Sequence, residues 1–187
     1  MEHCKALVIG GSAGSLDVLL KVLPEISITL TFPIIIVVHR KQGTDSLLSD
    51  LLSSKTLLNV KEVEEKEKIM AGTIYIAPSD YHLLIEKDYT FSLDYSEKVN
   101  YSRPSIDVTF QCAAEVYKDE LACLLLSGSN TDGVNGLITV SRFNGEAVVQ
   151  DPSSAQVDYM PAQAILRAKI DKVLAIEEMA NYINTIG

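Results

Sequence analysis

The sequence predicts a doubly wound α/β fold: a mostly parallel sheet with helices on both faces, plus a small antiparallel hairpin. Three observations predict it. Short, wholly apolar runs recur along the chain, as expected of strands covered on both faces. Most of these runs are followed by apolar residues at helical spacing, the alternation that builds a parallel sheet between two layers of helices. One pair of runs, 82–86 and 89–93, is joined only through Lys87-Asp88 and reads as a hairpin.

Ala6–Ile9 is the first such run, and Leu16, Leu19, Leu20 and Leu23 follow at helical spacing up to Pro24. Pro33–Val38 is almost entirely β-branched and predicts a central strand that delivers His39 at its carboxyl end. Thr44 or Asp45 can cap the next helix, with Leu47, Leu48, Leu51 and Leu52 as its apolar stripe. The charged run Glu62–Lys68 reads as a solvated connection, and Thr73–Ala77 as a short strand ending at Pro78. Beyond the hairpin, Ser102-Arg-Pro-Ser105 suits a helix start, with Pro104 in the first turn and either serine as cap. Its predicted buried face is Ile106, Phe110, Ala113, Ala114 and Tyr117. Leu121–Leu126 is another apolar strand, and a polar loop leads to a helix with Val134, Leu137 and Ile138 inward. Then come a strand at Glu146–Gln150, a turn, a short helix at Pro161–Ala168, a strand at Lys172–Ile176 and a helix at Glu177–Ile186.

The 187 residues fit one domain, spanning 1–187, with enough chain for a core. At 47% hydrophobic and 22% charged, the composition is that of a globular protein rather than a disordered one. A formal charge of −9 argues against a sequence-independent nucleic-acid binder, which needs a basic face. Cys4, Cys112 and Cys123 form no close pair and read as small apolar residues of a reducing compartment. With three histidines in the chain and no close cysteine pair, no metal site is expected. No signal peptide or bilayer-spanning run is read, so the expectation is a cytoplasmic protein without membrane insertion.

In doubly wound folds the site lies beyond the carboxyl ends of the strands. Ser12, His39 and Asp132 each follow an apolar strand, so all three are expected on one edge of the sheet. Ser12 stands in Gly10-Gly-Ser-Ala-Gly14, a turn that can set a hydroxyl beside the free N–H groups of the coming helix. The glycine spacing there is neither the dinucleotide fingerprint nor a phosphate loop. Serine needs a base to become a nucleophile; imidazole can serve near neutral pH, and a carboxylate can hold the imidazolium. Each residue also has a plainer use: His39 can end a strand, and Asp132 before Gly133 can cap a helix. His3, His82, Asp17 and Asp107 fit the pattern less well, because none of them follows a parallel strand.

The chain carries Ile9-Gly-Gly-Ser-Ala-Gly14, Val37-Val-His39, Ala71-Gly-Thr-Ile-Tyr-Ile-Ala-Pro78, Ser102-Arg-Pro-Ser-Ile-Asp-Val108, Leu126-Ser-Gly-Ser-Asn-Thr-Asp-Gly133 and Met160-Pro-Ala162. In this order, over essentially the whole chain, these motifs resemble the catalytic domain of the bacterial chemotaxis protein-glutamate methylesterases, the CheB family. The resemblance implies a serine hydrolase with a Ser–His–Asp triad, here Ser12, His39 and Asp132, and no cofactor. It implies removal of methyl esters from glutamate side chains of chemoreceptor cytoplasmic helices, with glutamine deamidation in some members. Partners implied are those methyl-accepting receptor domains and a separate receiver or other signalling protein, since no receiver domain is seen in this chain. Backbone groups around Ala13 and Ser129 are the implied oxyanion donors. The chain departs from the family pattern at Ala13, Ser15, Ser129-Asn130, Arg40-Lys41 and Tyr159. Those departures leave two alternatives: an inactive or weakly active relative serving as an interaction module, or an esterase or amidase for another substrate.

Overall fold

The computed structural model describes residues 4–40 and 45–187, without the side chains of 45 and 46. His3, Lys41 and the caps expected at Thr44 or Asp45 lie outside the described residues. The strands are β1 (Ala6–Gly11), β2 (Ile34–Val38), β3 (Asn59–Glu62), β4 (Thr73–Ile76), β5 (His82–Ile85), β6 (Phe91–Asp94), β7 (Leu121–Leu125), β8 (Glu146–Gln150) and β9 (Lys172–Leu174). The helices are α1 (Ser15–Val22), α2 (Asp45–Ser53), α3 (Ile106–Tyr117), α4 (Val134–Arg142), α5 (Tyr159–Arg167) and α6 (Ile176–Thr185). Seven strands form one sheet in the order β3-β4-β2-β1-β7-β8-β9, parallel at every pairing. β5 and β6 pair antiparallel as a separate hairpin.

Period-two alternation within the apolar strands divides the core into two layers. Leu7, Ile9, Ile34, Ile36, Ala122 and Leu124 pack with Val18, Leu19 and Val22 of α1, Leu52 of α2 and Met179, Tyr182 and Ile183 of α6. The intervening residues, among them Ala6, Val8, Ile35, Val37, Cys123 and Leu125, pack with α3, α4, α5 and the hairpin. Because both faces are covered, the strands read as unbroken apolar runs rather than alternating ones. The strand order reverses direction between β1 and β7, and in folds of this kind sites lie at the carboxyl ends of the strands beside that reversal.

The structure corrects several expectations. β3 is a strand where no strand was expected; charged residues suit an edge, and pairing with β4 decides its conformation. Pro104 lies before α3 rather than within its first turn. Ser105 is the cap, with its hydroxyl accepting from the Val108 N–H at 3.5 Å. In α4, Val140 is buried and Ile138 only half-buried. Leu16, Leu47 and Leu51, expected on buried stripes, are exposed. α5 begins two residues before Pro161, at Tyr159.

Candidate active site

Ser12 directly follows β1, and its N–H donates to the Ser127 carbonyl at 2.9 Å, tying the ends of β1 and β7 together. The Ser12 carbonyl accepts from Ser15 Oγ at 2.6 Å and from the Ser15 N–H at 3.0 Å, which closes the turn into α1. Ser15, one of the departures noted above, is thus buried and braces the turn. Ala13 is exposed, and its carbonyl accepts from Ser127 Oγ at 2.7 Å. The N–H groups of Ala13 and Gly14 bond to no other described residue and stand just before α1, at the end of the helix where the dipole favours negative charge. Beside Ser12, the loop after β7 is held by Gln150 Oε1, which accepts the Ser127 N–H at 2.9 Å. Gly128 approaches so closely that a Cβ there would lie 3.1 Å from Ser12 Cβ and 2.5 Å from Met160 Cε. Ser129, expected near the site, is exposed and one residue further out.

His39 follows β2 and bridges the two other expected residues. Its Nδ1 lies 3.2 Å from Ser12 Oγ, and its Nε2 lies 2.7 Å from Asp132 Oδ2. A carboxylate can only accept, so Nε2 carries the proton and Nδ1 is left to accept from the serine hydroxyl. Nδ1 therefore faces the serine, the reverse of the ring orientation in chymotrypsin-type triads.

Asp132 is fully buried at the N-terminus of α3. Besides His39, its Oδ2 accepts from the Ile106 N–H at 2.7 Å. Its Oδ1 accepts from Ser105 Oγ at 2.7 Å, the Asp107 N–H at 3.1 Å and Asn100 Nδ2 at 3.2 Å. Burial pushes this carboxyl up, but the bonds from His39, the Ile106 N–H, Ser105 and the Asp107 N–H outweigh it and hold the carboxyl below the usual carboxylate range. Asp132 is not the side-chain cap of its own helix. Gly133, with φ +95, occupies the position before α4, and that left-handed turn aims Asp132 across to α3.

Asp107 follows no parallel strand, and the sequence pattern does not mark it as part of the site. It lies in the first turn of α3, buried, and it caps α4: its Oδ1 accepts from the Gly133 N–H at 2.9 Å and the Gly136 N–H at 2.7 Å. His82 has partners away from Ser12. Its Nδ1 accepts from the Ser105 N–H at 3.1 Å and its Nε2 donates to the Glu97 carbonyl at 3.0 Å, so both nitrogens are used. The only advance signal for Asp107 was its position two residues after a capping serine, where acidic residues are common in helices of every kind.

Residues 7–183 match the CheB methylesterase family. The chain belongs to that family. A relative from Leptospira interrogans is 45% identical over 176 residues, which is 94% of this chain and 91% of that protein. A Thermotoga maritima relative named protein-glutamate methylesterase/protein-glutamine glutaminase is 35% identical over 173 residues. This chain spans about half the length of that relative, 50%. The crystal structure of the Thermotoga maritima CheB methylesterase catalytic domain superposes with a TM-score of 0.95 at 32% identity, covering 98% of this chain and 99% of that one. The CheB fold and the methylesterase class of hydrolase therefore apply to this chain.

Two clefts meet at the histidine of this CheB domain. One, of about 320 Å³, is mostly apolar and runs from Ser12 and His39 along Leu16, Leu19, Leu48 and Leu51. The other, of about 280 Å³, lies between His39 and residues 98 and 101–104. Arg40, which follows the histidine, turns inward and donates to Glu62 Oε2 at 2.6 Å and the Ala77 carbonyl at 2.7 Å. Among the described residues, no group of three or more His, Cys, Asp or Glu side chains could hold a metal ion. No described helix is long and apolar enough to cross a membrane.

Proposed function

We propose that Ser12, His39 and Asp132 are the catalytic triad of a protein-glutamate methylesterase acting on methylated chemoreceptor cytoplasmic helices. The observation that carries this reading is the unbroken path from Ser12 Oγ through both ring nitrogens of His39 to a buried, ionised Asp132. Ser12 Oγ attacks the ester carbonyl carbon while its proton passes to His39 Nδ1. The tetrahedral oxyanion is met by the N–H groups of Ala13 and Gly14, and Asp132 balances the imidazolium. Collapse breaks the carbon–oxygen bond to the methoxy group, which takes the Nδ1 proton and leaves as methanol. A water then loses its proton to Nδ1 and attacks the glutamyl-Ser12 ester, releasing the glutamate carboxylate and restoring Ser12. Replacing methoxy by an amide gives glutamine deamidation, with ammonia leaving. The apolar wall of Leu16, Leu19 and Leu48 beside Ser12 suits a neutral methyl ester better than the charged product. The departures at Ala13 and Ser15 fit an active enzyme: backbone supplies the donors, and the Ser15 hydroxyl tightens the turn.

In this reading the domain works in the cytoplasm, on receptors as substrate and with a receiver or other signalling protein as regulator. The test is methanol release from methylated receptor cytoplasmic fragments. Ser12→Ala and His39→Ala are each expected to lower turnover by at least about 1,000-fold while remaining folded. Equal rates in wild type and both variants would overturn the triad.

A further inference from the structure

Residues 99–102 form a tight turn beside the site. The Val99 N–H donates to the Ser102 carbonyl at 3.2 Å, and the Ser102 N–H donates to the Val99 carbonyl at 2.9 Å. Both central residues have positive φ, Asn100 at 51 and Tyr101 at 62, the pattern of a type I′ hairpin turn. Asparagine is favoured in such a turn, so its presence alone needs no function. Its side chain is another matter. Asn100 Nδ2 donates to Asp107 Oδ2 at 2.8 Å and to Asp132 Oδ1 at 3.2 Å. Both neighbours are acceptors only, so the amide nitrogen must face them and use both of its protons there.

This bridge differs from the other bonds to Asp132. Those from Ser105, Ile106 and Asp107 come from the start of α3, whereas Asn100 comes from a loop that lines the cleft on the far side of His39. The same turn carries Ser102, whose Oγ lies 3.5 Å from His39 Nδ1. Asp107 explains why a second charge is buried here. One of its oxygens caps α4, and the other accepts from Asn100 and, at 3.3 Å, from Asn135 Nδ2. An asparagine at 107 could do the first but not the second.

We propose that Asn100 is a positioning residue of the triad: its amide, anchored on Asp107, fixes Asp132 and holds the 99–102 turn against His39. The proposal rests on the triad reading above. Tyr101, 97% exposed in a backbone conformation that disfavours bulky side chains, is held there by this anchor. The loop that borders incoming substrate is thereby tied to the acid of the triad.

Asn100→Gly tests the amide alone, because glycine keeps the positive φ. Asp107→Asn keeps an oxygen for the Gly133 and Gly136 N–H groups and presents a donor to Asn100 instead of an acceptor. A fluorophosphonate reports Ser12 reactivity without a protein substrate, and methanol release separates kcat from KM. Each single variant is expected to lower the maximal labelling rate and kcat by about tenfold, with KM unchanged within about twofold. The double variant is expected to be no slower than the slower single one, since both break one bridge. Wild-type labelling by folded Asn100→Gly, or losses that multiply in the double variant, would overturn the proposal and leave the triad standing. A wild-type protein that never labels, or labels equally well as Ser12→Ala, would overturn the triad and this proposal together.

Discussion

Asp132 at the N-terminus of α3 and Asp107 at the N-terminus of α4 are the same side chain, 0% and 3% exposed, and each accepts from the other helix. Their acidities nevertheless move in opposite directions. Burial dominates at Asp107, reinforced by the charge of Asp132, and raises its carboxyl above the usual range despite bonds from Gly136, Asn100 and Gly133. At Asp132 the same burial is outweighed, and the largest opposing contribution is the bond from His39. Backbone amides at a helix N-terminus can thus hold a buried carboxylate, and at Asp132 the bond from His39 joins them in bringing the carboxyl below the ordinary range. That difference separates a helix cap from a charge able to support an imidazolium.

The comparison can be broken at its active member. Asp132→Asn preserves shape but removes the charge and lets the imidazole adopt the wrong tautomer, so turnover is expected to fall about 10,000-fold. Methanol release and phosphonate labelling both read this. A loss no larger than that of Asp107→Asn would mean that the two carboxylates are equivalent and that Asp132 is only a cap.

The opposite acidities also imply opposite pH dependences of stability. Asp132 is held below the ordinary 3.8, so its contribution is present above 3.8 and lost as pH falls through its folded value. The stability gap between wild type and Asp132→Asn should therefore shrink in acid. Asp107 is held above 3.8, so its favourable contribution is complete below 3.8 and lost as pH rises through its folded value. Relative to wild type, Asp107→Asn should therefore be at its most favourable near neutral pH and lose ground in acid. Thermal melting of the three proteins between about pH 7 and pH 3 checks both signs, and parallel curves for the two variants would contradict the assignment.

The smallest effect tests what the two sites share. Ser105 Oγ donates to Asp132 and accepts from the α3 N-terminus. Ser105→Ala is expected to cost about 1–2 kcal/mol, lowering Tm by roughly 3–6 °C. Activity should fall less than in Asp132→Asn, because Ile106 and Asp107 still hold the carboxylate.

Much of this was legible in the chain. β1, β2 and β7 are apolar runs long enough to declare themselves, and each delivers its polar residue to the same edge of the sheet. Asn59–Glu62 was not legible, because its charges describe a solvated edge and only pairing with β4 makes it a strand. Leu16 and Leu47 show the converse. Helical spacing assigned them to the core, but they lie open, Leu16 at 38% exposure and Leu47 at 69%, along the cleft that leads to Ser12.

By itself, the sequence determined the β/α alternation, the hairpin and the three strand ends carrying Ser12, His39 and Asp132, because these depend on local pattern and on one rule of sheet topology. Only the tertiary structure decided the distances among Ser12, His39 and Asp132, the ring orientation of His39 and the crossed capping of α3 and α4. Asn100, Asp107 and Asp132 are brought together by the packing of α3 against α4 and by one turn of a loop, and no local spacing encodes such a meeting.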